Sequence, residues 1–145
     1  MSNLTMLLLM VCGGMAVAIQ PSINARLAQK IGPYESSLIS FAVGTLAMLL
    51  IVLVAGRGNL RALGGASWWE LTGGFLGAFF VTLTIVAVPR LGTTAVMAAV
   101  IAGQLITGAT MDHLGAFGLR QIPLSPLRSL GILMLAAGAG LLIRR

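Results

Sequence analysis

Gln20, Pro21, Ser22, Asn24 and Arg26 follow directly on the apolar run that ends at Ile19, where a plain lipid anchor would continue with leucine and valine. Polar side chains at membrane depth are costly unless they are partnered, and a proline removes a backbone donor and loosens the helix around it. The stretch from Met10 to Lys30 therefore reads as a helix with one face turned toward a cavity or another helix. A second polar stripe is formed by Gln104, Gly108 and Asp112, spaced i, i+4, i+8 on one helix face. Counted from Thr93, Gln104 falls about 17 Å along its helix, near mid-membrane. Gly13, Val17, Gln20 and Asn24 supply a matching stripe. If the two stripes face one another, Gln20, Asn24, Gln104 and Asp112 line a polar seam that binds a solute, with Ser40 contributing and Pro21 as a hinge. Interhelical hydrogen bonding is the alternative use of the same amides.

Three acids (Glu35, Glu70, Asp112) and one histidine (His113) are the remaining candidates. Glu35 and Glu70 fall in the first turns of their helices, where a carboxylate complements the helix dipole. Asp112 and His113 close the fourth helix. Proton coupling there competes with capping, or with pairing of Asp112 to His113 or Arg120. Enzymatic chemistry finds no support, since the chain has no nucleophile elbow, no phosphate-cradling glycine loop and no H-E-x-x-H. The lone Cys12 and single histidine give no disulfide framework or zinc cluster, and no cofactor is called for.

The elements that must position these residues are membrane spans. The 145 residues are 58% hydrophobic and 8% charged, with a mean hydropathy of +1.02, whereas soluble domains are about a quarter charged. The net charge of +6 comes from nine basic residues scattered at the ends of apolar runs, which suits interfacial anchoring rather than nucleic acid. The N-terminus lacks the basic segment of a cleaved signal peptide, so the first run is expected to be retained as a helix. Five spans are expected, at about 4–28, 35–55, 69–88, 93–111 and 127–143, each near the roughly 20 residues a bilayer requires. They form a single membrane domain, all α. The break at Pro89-Arg90-Leu91-Gly92 is short enough to make the third and fourth helices antiparallel neighbours. Trp68-Trp69 belongs at an interface. Small residues at helical spacing, such as Gly73/Gly77 and Gly103/Thr107, permit close helix approach.

Five spans put the termini on opposite sides. Arg57, Arg61, Arg120 and Arg128 then lie on the N-terminal side, against Arg26, Lys30, Arg90, Arg144 and Arg145 on the other. Four against five gives the insertion machinery little instruction. Dual insertion, with each chain pairing with an inverted copy of itself, competes with a single orientation fixed by one dominant loop. A five-helix unit is small for enclosing a path alone, and inverted pairs build many transporters, so an antiparallel homodimer is preferred.

Taken in order, Gly13-Gly14, Ala18-Ile19-Gln20 with Ile23-Asn24-Ala25, Ile39-Ser40-Phe41 with Val43-Gly44-Thr45, Gly73-Gly74 with Gly77-Ala78, Val88 to Gly92, Gly103-Gln104-Leu105, and Asp112-His113 with Gly115 and Phe117-Gly118 carry a resemblance. The chain resembles the short YdcZ-type family of the drug/metabolite transporter superfamily over nearly its whole length. That resemblance implies a multi-pass protein of the bacterial inner membrane, equal to one half of the ten-helix, inverted-repeat architecture of larger relatives that work by alternating access. The superfamily's small multidrug exporters place a glutamate in the middle of their first helix. Here that position has no acid, and Gln20 and Asn24 are the nearest polar groups. The expected partners are a small organic solute, the lipid bilayer and a second copy of the chain, with no nucleic acid. A non-transporting subunit of a larger membrane complex is the alternative.

Overall fold

A computed structural model describes residues 2–143. Arg144 and Arg145, counted above among the charges of one side, lie outside the described residues. Among these residues the protein is all-helical: α1 (Asn3–Ile31), α2 (Pro33–Ala55), α3 (Gly73–Leu91), α4 (Thr93–Leu114) and α5 (Pro126–Ile143), with short 3-10 turns at Leu60–Gly65, Trp68–Leu71 and Ala116–Gly118. Each of the five, α3 taken together with the turn from Trp68, is long and apolar enough to cross a membrane. The large aliphatic side chains are mostly exposed, as a lipid-facing surface requires.

The chain divides into two compact units, residues 1–90 and 91–145. In the first, α1 and α2 form a hairpin whose whole turn is Gly32, with φ +99° and ψ 155°. That backbone region is open essentially to glycine alone. Pro33 then starts α2 at a position where its missing N–H costs nothing. Burial is confined to the turn half of this unit. Pro21, Asn24 and Ala25 of α1, Ser36 and Ser37 of α2, and Val81, Thr84, Ile85 and Val88 of α3 are buried, while residues 2–17 and 41–55 are exposed throughout. The hairpin is closed at one end and open at the other.

Helix α3 departs from expectation at both ends. The Trp68–Leu71 segment is a separate 3-10 turn, in which the Glu70 carboxylate accepts the Ser67 N–H at 2.6 Å. At its C-terminus the helix continues through Pro89 to Leu91. The stop is set by Gly92, at φ +83° and ψ 153°, and not by the proline.

In the second unit α4 and α5 pack on each other, joined by the segment 115–125. Gly115 leaves α4 in the left-handed region (φ 60°, ψ 38°), a common helix ending. The segment is stitched back onto α4. The Ile122 N–H donates to the Asp112 carbonyl at 2.8 Å, and the Gln121 amide donates to the His113 carbonyl at 2.8 Å.

Candidate functional site

Along the open half of the α1–α2 hairpin runs an open cavity of about 570 Å³, whose lining is exposed except for the half-buried Ser40. Gln20 of α1, the α2 face from Ser40 through Phe41, Gly44, Thr45, Met48 and Leu49 to Val52, and Leu60 beyond α2 line it. Gln20 is 17 residues into a 29-residue helix, so its carboxamide sits about 25 Å from one end and about 16 Å from the other, well inside the lipid. No other described residue hydrogen-bonds that carboxamide. At Pro21, fully buried beside it, the helix lacks the N–H that would meet the Val17 carbonyl, yet α1 continues as one helix across the proline.

Asn24, one turn further on, is treated differently. It is buried, its side-chain amide donates to the Ser40 hydroxyl at 3.1 Å, and its backbone carbonyl accepts the Ser36 hydroxyl at 2.7 Å. Ser37 and Thr82 share a hydroxyl–hydroxyl bond of 2.8 Å that ties α2 to α3. These bonds explain why polar residues crowd the closed end: Asn24, Ser36, Ser37 and Thr82 each find a partner within the protein, and together they pin three helices where burial is deepest. The Ser40 oxygen accepts from the Asn24 amide, and no described residue accepts the Ser40 proton. Phe41 forms the wall beside Gly77, whose Cα lies so near that an added Cβ would be 3.5 Å from the ring.

Gln104 and Asp112 belong to the second unit, where they line a separate cavity of about 400 Å³ between α4 and α5 with Gly108, Arg128, Gly131 and Leu135. The i, i+4, i+8 stripe is thus real on α4. Gln104 is exposed, and its carboxamide also has no described partner. Asp112 is paired to Arg128 at 2.5 Å, and a second nitrogen of the same guanidinium donates to the Ile122 carbonyl at 3.0 Å. His113 accepts the Leu124 N–H on Nδ1 at 3.3 Å. Asp112 and His113 therefore both hold the segment before α5. Of the sequence-derived site residues, Gln20, Asn24, Ser40 and Pro21 come together in the first unit, and Gln104, Asp112 and His113 in the second.

The residues that sequence reasoning missed are Ser36, Ser37 and Thr82, which hold the closed end, and Arg128, which neutralises Asp112. The i, i+4 spacing of Ser36 and Ser40 was a usable sign of a polar face on α2, but nothing in the sequence pairs either with Asn24. Arg128 stands sixteen residues from Asp112, across an irregular segment that carries no periodicity.

Residues 5–141 match the family described as "Putative inner membrane exporter, YdcZ". The chain belongs to that family. It is 27% identical to the inner membrane protein YdcZ of Escherichia coli (strain K12), over 94% of this chain and 93% of that protein. No solved structure matches it. Family membership and five apolar helices make the protein a multi-pass protein of the inner membrane, in a family described as exporters.

Proposed function

We propose that the protein moves a small organic solute across the inner membrane by alternating access, working as an antiparallel homodimer. The observation that carries this reading is the Gln20 carboxamide, held deep in the lipid-spanning part of α1 at the edge of a cavity and bonded to no described residue. Such a group is expensive in hydrocarbon and cheap beside water or a polar solute. Asn24, four residues further along α1, and its hydroxyl partners on α2 are bonded to one another inside the protein. An unmet amide is thus a choice of the site rather than a failure of packing.

The first unit is closed at the end holding Gly32 and open at the other, an asymmetry that supports the alternating-access reading. The bonds of Asn24, Ser36, Ser37, Ser40 and Thr82 at the closed end are between neutral hydroxyl, amide and carbonyl groups, so exchange of partners can reopen them at modest cost. Pro21, beside Gln20, is where α1 can yield. The inverted second copy follows from the balanced basic residues and from the small size of one five-helix chain. Gln104 of α4 is the second solute-contacting amide. A coupling role for Asp112 and His113 would require Asp112 to leave Arg128, and the ion pair and the loop bonds favour a structural role for both.

The test is transport by the purified protein in liposomes. Vesicles are incubated with the low-molecular-weight fraction of a bacterial extract, and the compounds retained are identified by mass spectrometry. At least one compound is expected to accumulate with the native protein and to be lost with Gln20→Ala or Gln104→Ala. A protein that accumulates nothing by itself and co-purifies with a larger complex would be the non-transporting subunit instead.

A further inference from the structure

The lining of the first cavity restricts what can occupy it. None of the lining residues is ionisable, and the polar ones, Gln20, Ser40 and Thr45, lie toward one end. From Ser40 to Val52 the α2 face runs about 18 Å, and past Thr45 it carries only Met48, Leu49 and Val52, with Leu60 at the far end. The cavity is therefore a polar head site joined to an apolar trough.

The head site has a defined hydrogen-bonding character. Ser40 accepts from Asn24 and keeps its own O–H, which no described residue accepts, together with one free lone pair on its oxygen. The Gln20 carboxamide offers one acceptor and one donor group, both without a described partner. A ligand that offers a carbonyl to the Ser40 O–H and the Gln20 NH₂, and an N–H or O–H to the Gln20 oxygen, meets both residues at once. A charged ligand finds no counter-ion among the lining residues, and an unpaired charge in a low-dielectric site carries a heavy desolvation penalty. The contrast with the second cavity is direct: there Asp112 and Arg128 supply charges, but each is already spent on the other.

Resting on the transporter reading above, we propose that its solute is an uncharged amphiphile with an amide-like head, held by Gln20 and Ser40, and an elongated apolar body lying along α2 toward Leu60.

Gly44 offers a way to test this, because it lines the cavity and an added Cβ there meets nothing within 4 Å. Protein carrying Cys12→Ser and Gly44→Cys is placed in liposomes and labelled with N-ethylmaleimide, alone or with 4-phenylbenzamide, the matching amidinium or the matching carboxylate at equal concentration. The amide is expected to slow labelling at least fivefold and each charged analogue less than twofold, and Gln20→Ala is expected to abolish protection by the amide. Equal protection by a charged analogue, or none by the amide, overturns the proposal while leaving transport possible. Labelling no faster than that of Val43→Cys, which is exposed on α2 outside the cavity lining, removes the cavity itself and with it the transporter reading. Should Gly44→Cys not purify as a single species, Thr45→Cys takes its place.

Discussion

The α1–α2 and α4–α5 hairpins solve the same problem, two apolar helices joined end to end, in opposite ways. The first turns on a single glycine and bonds its helices through Asn24, Ser36 and Ser40 at one end, where Ser37 also ties α2 to Thr82 of α3, leaving Gln20 without a described partner at the edge of the opening. The second uses a longer connection and spends Asp112, His113, Gln121 and Arg128 on holding that connection to α4. The difference teaches that polarity in a membrane span is no guide to function until its partner is known. Asp112 is the most polar residue of the expected seam and is paired with Arg128, whereas Gln20 is less polar and has no partner among the described residues.

The sharpest break between the hairpins is expected in transport. Gln20→Ala should reduce accumulation of the solute tenfold or more without lowering the temperature at which the protein aggregates in detergent, because no hydrogen bond to a described residue is lost. Asp112→Asn should do the reverse, keeping most transport while loosening the connection to α5. A transport defect in Asp112→Asn equal to that of Gln20→Ala would restore the aspartate as a coupling group.

The two turns should separate next. Gly32→Ala places a residue where backbone strain costs about 1–3 kcal/mol, and its Cβ would also collide with the Glu35 carboxylate. Gly115 sits in the ordinary left-handed region that asparagine tolerates, so Gly115→Asn should cost less than Gly32→Asn. Thermal unfolding followed by size-exclusion recovery in detergent would rank them.

Smaller effects sharpen the comparison further. Ser36→Ala removes a buried hydrogen bond to the Asn24 carbonyl and should cost about 1 kcal/mol at any ionic strength. Neutralising the half-exposed Asp112–Arg128 pair should cost about 1 kcal/mol or less and the loss should shrink as salt is raised, since the pair it removes is screened. Unfolding of both variants at low and high salt distinguishes the two kinds of contact.

The five spans were legible because unbroken apolar runs and their breakers signal a bilayer regardless of tertiary detail. The end of α3 was not. Pro89 reads as a stop, but in a last turn its ring and missing donor disturb only one bond, and Gly92 sets the actual break. Asn24 and Gln20 look alike as sequence, two amides one turn apart on one stripe. What separates them is that Asn24 meets Ser40 and Ser36, and those partners come from another helix whose register no local pattern encodes. The same reason hid Arg128 behind Asp112.

The central claim, that Gln20 faces a path while Asn24 is sealed, is tested most directly by deuterium exchange of the two side-chain amides. The labelled protein in lipid is transferred to heavy water, and each signal is assigned through Gln20→Ala and Asn24→Ala. The account requires the Gln20 carboxamide to exchange at the rate of a surface glutamine while that of Asn24 persists far longer. Equally slow exchange of both would mean that no water or solute reaches Gln20, and would contradict it.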